Sequence, residues 1–358
     1  MEMRMQMDKD MECRRVRWTK IAVFFMVMFY PDPLPAEGLG PFYLPVVGMS
    51  EVFRETPAFV SPGEHETGRV NLTVAARWLN VWAFHSEADE PYDWEADPET
   101  FPFEHGSFLL DMETISLTPR ISFKINDAIR LEAAIPVIHQ GGGILDGFIE
   151  GFHDTFGIEQ HQRDKWERNG TSLMYVSQDG DIIDLSDNLS GTFLGNVTLG
   201  GSLRIRDDGP AISVRALCKF PTSNFKDGWR QNGIDATLQA AASWQQDRIM
   251  GYHGAGVTFY GTRGDDELDL QARRFSMMNS LEYAWSDWFS LLAHVVMASA
   301  AADYPELDKP IVELTLGFKK RLGRGVLEFG LIENLFFFNN SPDAGFHAAY
   351  TVSIWGPY

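Results

Sequence analysis

The sequence predicts an all-β protein, a twelve-stranded antiparallel transmembrane β-barrel with a short helix in an extracellular loop. Three observations predict it. Apolar and polar residues alternate with period two over runs of about ten residues, the length of a tilted membrane strand. Beyond residue 36 no apolar run is long enough for a helical span, which needs about 18 residues. Connections alternate between tight turns and long polar loops, the asymmetry between the periplasmic and extracellular ends of an outer-membrane barrel.

The clearest alternation is AISVRALCKF, where Ile212, Val214, Ala216, Cys218 and Phe220 share one face and Ser213, Arg215 and Lys219 the other. IDATLQAAASW and IVELTLGFK repeat the pattern, with Leu238 opposed to Gln239 and Leu316 to Thr315. Similar runs place strands near 69–84, 107–125, 128–140, 192–206, 211–222, 233–246, 249–261, 272–285, 288–300, 310–322, 325–337 and 344–357. Tight turns are expected at NDA, DDGP, QDR, SDW and LGRG; long loops fall near 85–106, 141–191, 223–232, 262–271, 301–309 and 338–343.

A soluble β-sandwich also has one apolar and one polar strand face. Strands of this length exceed the usual five or six residues of globular sheets. The apolar faces end in Trp82, Phe84, Phe220, Trp244, Phe259, Trp285, Phe318 and Trp355, where membrane interfaces favour aromatics. The final run FHAAYTVSIWGPY keeps Phe346, Tyr350, Val352, Ile354 and Tyr358 in phase, similar to the signal read by barrel-assembly machinery. Glu333 is out of character, falling in phase with Leu327, Phe329 and Leu331, so a bulge or the extracellular rim is expected there.

Basic residues followed by the apolar run IAVFFMVMFY read as a secretion signal over residues 1–36. Residues 37–68 then form an N-terminal periplasmic segment with access to the lumen, and 69–358 the barrel. The formal charge is −20; without residues 1–36 the chain keeps 24 basic and 45 acidic residues, a net −21. That balance argues against a nucleic-acid partner. Cys13 and Cys218 make no disulfide framework, and no zinc-type spacing occurs.

Two segments, GGGILDGFIEGFHDTFG (141–157) and ENLFFFNNSPDAGFH, resemble a family of Gram-negative outer-membrane proteins defined only as a domain of unknown function. The resemblance extends over most of the chain beyond the signal. It implies a barrel in the outer membrane and no activity.

In the expected register the lumen is lined by Arg77, Arg120, Arg130, Glu132, Arg204, Arg215, Asp235, Glu282, His294 and Glu313, with Lys319 and Glu328 in phase. Such mixed charges either line a water-filled pore or pair across a plugged interior. The 141–157 helix carries Leu145, Phe148, Ile149, Phe152 and Phe156 on one stripe, with Asp146, Glu150 and Asp154 at i, i+4 and i+8. Three readings stay open: an extracellular cap with its acids in solvent, a constriction whose acids meet basic wall residues, or a site in which Asp146, Glu150, His153 and Asp154 bind a cation or do acid–base work. The acidic loop 85–104 reads as hydrated surface or as a divalent-ion bridge to lipopolysaccharide.

No G-x-S-x-G, P-loop or H-E-x-x-H is present. The leading functional expectation is a passive channel or transporter for a small or lipophilic solute, with the 141–157 helix as lid or plug. A lipid-modifying enzyme and a structural or adhesion barrel are the alternatives. Expected partners are outer-membrane lipids, lipopolysaccharide and the assembly machinery; no cofactor is expected.

Overall fold

The structure is a computed structural model and describes residues 38–45, 56–62, 70–85, 107–157, 163, 166, 168–177, 179–207, 209–224, 233–261, 270–305, 307–336 and 342–355. The expected secretion signal, the acidic loop and the terminal Tyr358 lie outside the described residues. In chain order the elements are β1 (Val70–His85), β2 (Phe108–Lys124), β3 (Ile129–Ala134), β4 (Val137–Gly141), α1 (Asp146–Phe156), β5 (Ser172–Val176), β6 (Ile182–Asp184), α2 (Ser186–Leu189), β7 (Gly191–Leu194), β8 (Val197–Arg206), β9 (Ala211–Phe220), β10 (Asp235–Gln246), β11 (Ile249–Phe259), β12 (Arg273–Ser286), β13 (Phe289–Ala298), β14 (Ile311–Leu322), β15 (Gly325–Phe336) and β16 (Ala344–Trp355).

Every pairing is antiparallel, and β1 bonds to both β2 and β16, so the sheet closes. The ring runs β1, β2, β3, β8 and then β9 to β16, twelve strands as the alternation predicts. Closure joins the first strand of the ring to the last, as a lipid environment requires. Tight turns sit where expected: Asn126 Oδ1 accepts the Ala128 and Ile129 amides at 2.9 and 2.8 Å, and Asp247 and Gly323 adopt the positive φ that two-residue hairpin turns demand.

The third and fourth ring strands are interrupted, which the sequence reading took as continuous. β4 continues β3 after Ile135-Pro136, and β8 continues β7 after Gly195-Asn196. Between the pairs Ala134↔Thr198 and Val137↔Leu194, three steps along one strand face four along the other, a one-residue bulge. Pro136 has no amide to give the ladder, and its carbonyl takes the Gly195 amide at 2.8 Å. The phase anomaly at Glu333 has a similar origin: the register slips between Val312 and Glu313, opposite Asn334 to Phe336, and Glu333 stays outward just before the slip.

Which face is buried separates the membrane barrel from the sandwich. On β9, Ser213, Arg215 and Lys219 are buried while Val214 is 40% exposed. On β12, Arg274, Ser276, Ser280 and Glu282 are buried while Phe275, Met277 and Leu281 lie outside. The wall is polar within and apolar without, the arrangement a lipid-embedded barrel needs. An arginine on this outer face is therefore expected to cost about 2–4 kcal/mol near the bilayer midplane and ~0–1 near an interface. Leu281→Arg should destabilise the folded barrel in lipid vesicles accordingly, and Gln246→Arg, beside a turn, hardly at all. Urea titration checks the contrast.

Candidate functional site: the barrel lumen

The lumen is occupied by the chain's own N-terminal segment. Leu39, Phe42, Leu44, Ala58 and Phe59 are all buried. Phe42, Leu44, Leu79, Leu292 and Ile332 form one apolar cluster, and Phe59 joins Met250, Tyr252, Met278 and Val296 in another. Gly254 makes room for the Phe59 ring, since a Cβ there would come within 2.4 Å of it.

An irregular backbone inside a barrel must find partners for its amides and carbonyls. The inward charges supply them. Glu282 accepts the amides of Leu39 (2.7 Å) and Gly40 (3.0 Å), and the Tyr252 hydroxyl at 2.6 Å. Lys319 Nζ donates to the carbonyls of Pro41 (2.6 Å) and Leu39 (3.3 Å) and pairs with Glu328 at 2.9 Å. Glu328 takes the Tyr43 amide (3.2 Å) and His347 Nε2 (3.3 Å) on its other oxygen. Higher up the segment, Gln239 Nε2 donates to Pro57 O at 3.0 Å, and Arg215 donates to Ala58 O. Phe42 sits edge-on between His294 and His347, with ring centroids 5.9 and 5.8 Å away.

Other inward charges pair with each other. Glu132 bridges Arg120, at 2.7 Å, and Arg215; Lys219 and Asp235 lie 2.9 Å apart. Of the expected lumen residues, Arg120, Glu132, Arg215, Asp235, Glu282, His294 and Glu313 are buried inside, and Arg77, Arg130 and Arg204 are half-buried. The interior is thus of the paired, plugged kind. Sequence reasoning passed over Tyr252, Gln239 and His347 as partners, although period-two phase alone puts all three on the inward face.

At the long-loop end the β13–β14 segment crosses the mouth. Tyr304 reaches from the far side of the ring, and Ser107 O (3.0 Å) and Val176 O (2.9 Å) share its one hydroxyl proton. With Leu307 and Ala302 it packs on the inner-face residues Val81, Ala83, Phe108, Leu110 and Met112 and on Tyr175. AADYPELDKP looks like an ordinary polar loop in sequence, so this contact was not foreseen.

The α1 helix lies elsewhere. On β1, Asn80 and Trp82 share the outward face of Val74; on β2, Leu109, Asp111 and Glu113 share that of Ile115 and Leu117. Those outward residues hold the helix. Glu113 Oε1 accepts the amides of Ile144 (2.7 Å) and Leu145, capping the helix N-terminus. Gly143, at φ 69°, permits this approach, because a Cβ would fall 1.9 Å from the Glu113 carboxyl carbon. Asp146 accepts from Asn80 Nδ2 (3.0 Å), Arg163 Nη1 (3.1 Å) and the Asn169 amide (2.6 Å). Arg163 also binds Asn80 Oδ1 at 2.8 Å, pairs with Asp343, and lies 5.6 Å over Trp82. Glu150 pairs with Arg168.

Three expectations change accordingly. Asp146 and Glu150 are 3% and 5% exposed, so they do not face solvent; Phe148, at 58%, does. The helix is rotated, not inverted: Leu145 and Ile149 of the apolar stripe stay buried, and Asp146 and Glu150 are buried beside them because they find arginines from the following loop. Those basic partners come from that loop, not from the lumen wall, so the described contacts of α1 give no constriction. Trp82, expected in a lipid-facing girdle, is buried beneath Arg163 and Trp166. Asp154 is exposed, so the four helix residues singled out do not converge. Among the described residues no group of three or more His, Cys, Asp or Glu is placed to hold a metal ion.

Cavities remain beside the N-terminal segment. One of about 230 Å³ opens at the short-turn end, between that segment and β14–β15. A smaller one, about 40 Å³, lies against Tyr43, Ala58, Glu132 and Arg215 and reaches the strand interruption at Pro136.

A family described as a protein of unknown function (DUF3187) matches residues 19–354. The chain belongs to that family. Comparison with curated proteins gave no match. Among solved structures, this DUF3187 barrel is similar to an outer-membrane channel from Pseudomonas putida F1, at 12% identity and a TM-score of 0.51, over 82% of this chain and 99% of that one. It is also similar to the Pseudomonas putida toluene transporter TodX, at 10% identity and a TM-score of 0.41, over 89% and 98% of the two chains. A Pseudomonas aeruginosa FadL homologue matches at 10% identity and a TM-score of 0.38, over 82% and 93%.

Proposed function

We propose that this barrel is an outer-membrane passive transporter for a small lipophilic solute, held shut by its N-terminal segment and by the β13–β14 loop. Long loops face outward and short turns face the periplasm. The observation that carries the reading is how the segment is held. Beside the packing of Phe42, Leu44 and Phe59, the segment's main chain is fastened to the wall by side-chain-to-main-chain hydrogen bonds that water can replace. Each such bond contributes a modest net ~0.5–3 kcal/mol. Once the segment withdraws, the wall it leaves is lined by Met250, Met278, Leu292 and Val296. Methionine-rich apolar surface adapts to varied lipophilic guests.

The lid is thus Tyr304 and its loop; the α1 helix acts as a clamp on the outer wall. The lipid-modifying alternative gains nothing from Asp146 and Glu150, both of which are engaged in ion pairs. Cells that express the protein should take up the hydrophobic fluorophore N-phenyl-1-naphthylamine faster than cells that lack it, and equal rates would refute transport. Tyr304→Ala should raise that rate further. Tyr304→Phe, which loses only the two carbonyl contacts, should raise it less.

A further inference from the structure

Phe42 of the N-terminal segment is wholly buried, in a seat whose walls are of two kinds. Leu44, Leu79, Leu292 and Ile332 pack around it, and the imidazoles of His294 and His347 stand edge-on to its ring. In the wall, His294 pairs in register with Ser280 of β12 and Thr315 of β14, and all three are buried. A Cβ at Gly330 would lie 2.6 Å from Thr315 Cγ2 and 3.5 Å from Phe42 Cζ, so the threonine and the ring meet over that glycine. Both ring nitrogens of His294, His347 Nδ1, Ser280 Oγ and Thr315 Oγ1 have no hydrogen-bond partner among the described residues. Polar groups buried in this way cost free energy that a partner would recover. Phe42 fills the space and bonds to none of them. The charges close by are already paired, Lys319 with Glu328 at 2.9 Å and Glu328 with His347 Nε2 at 3.3 Å.

We propose that the Phe42 seat is a binding subsite for a neutral, ring-sized lipophile with one hydroxyl group, which displaces Phe42 by making the hydrogen bonds that Phe42 leaves unmade. The subsite rests on the transport reading and names its solute class. Its shape follows from the ring now seated there, and the lack of charge on the solute from the pairing of Lys319 with Glu328. A hydroxyl both donates and accepts, and the seat offers both roles. His347 turns Nε2 to Glu328, which leaves Nδ1 of the neutral ring as an acceptor. A neutral His294 has one donor and one acceptor, and the Ser280 and Thr315 hydroxyls serve as either. Displacing Phe42 removes an apolar anchor of the N-terminal segment, so solute binding favours its release.

Equilibrium dialysis of the full barrel, N-terminal segment included, tests this in non-ionic detergent, with detergent alone subtracted. The probes are p-cresol and toluene, which differ by one hydroxyl. The cresol should bind saturably at one site, roughly tenfold more tightly than toluene. Phe42→Ala should tighten both roughly tenfold or more, because no ring is left to displace. In that background His294→Leu should erase most of the preference for the cresol and leave toluene binding in place. Thr315→Val, with a smaller loss of preference, serves if the histidine variant does not fold. Affinities that gain nothing from Phe42→Ala, equal affinity for the two probes, or a preference that survives both wall substitutions would overturn the proposal. Cresol that binds in the seat but enters cells no faster with the protein than without it would leave the seat standing and refute transport. Uptake without saturable binding would do the reverse.

Discussion

Removing residues 38–60 together with Tyr304→Ala is expected to turn a sealed barrel into a steadily ion-conducting one in planar bilayers. The two changes act at opposite ends of one path. Deletion takes Phe42 and Phe59 from the lumen and frees Glu282, Lys319 and Gln239 to face water. The loss of Tyr304 removes the two carbonyl contacts and the aromatic packing that hold the β13–β14 loop across the mouth. Either change alone leaves the other barrier, so only brief openings are expected. Deletion also removes the burial of several large side chains, each worth about 1.5–3 kcal/mol, so the open form should unfold at lower urea.

Arg163→Ala should have the largest effect on the outer wall and none on conductance. Arg163 is 3% exposed and holds Asp146, Asp343 and Asn80 together. Removing one partner of a buried pair strands the other charge, at a typical cost of about 3–5 kcal/mol. The helix and its following loop should then detach from Trp82, seen as rapid proteolysis between residues 157 and 171 and as a change in tryptophan fluorescence. Arg163→Lys keeps a charge without the fork and should recover only part of the protection. Raised conductance in Arg163→Ala would show that the helix gates the lumen after all.

These two expectations separate what was legible in sequence from what was not. Strand positions were legible because a lipid-facing wall imposes period two on most of each strand; AISVRALCKF alternates in burial on every residue from Ser213 to Lys219. The inward residues follow from the same phase. The helix was legible as a helix, with Gly157 closing it at φ 63°. Its orientation was legible only in part: Leu145 and Ile149 of the apolar stripe are buried, but so are Asp146 and Glu150 beside them. Asp146 and Glu150 turned inward because Arg163 and Arg168 lie 17 and 18 residues further along the chain, in a loop that no period describes. Tyr304 was equally silent: a tyrosine among acids and prolines reads as surface until the ring closes and brings Ser107 and Val176 to it. The breaks at Pro136 and Gly195 did carry a signal, since a proline inside a strand marks a bulge or an edge.

The most direct test of the central claim, that solute passes only when the N-terminal segment leaves the lumen, is uptake with that segment tethered. A Cβ at Gly254 would lie 3.0 Å from Phe59 Cγ, so cysteines at the two positions bring their Cβ atoms within about 4.5 Å, the reach of a disulfide. In a Cys218→Ser background, cells carrying Phe59→Cys and Gly254→Cys should take up N-phenyl-1-naphthylamine no faster than cells without the protein while the bond is closed. Reduction should restore uptake. Uptake that is the same with the disulfide closed and open would contradict the account.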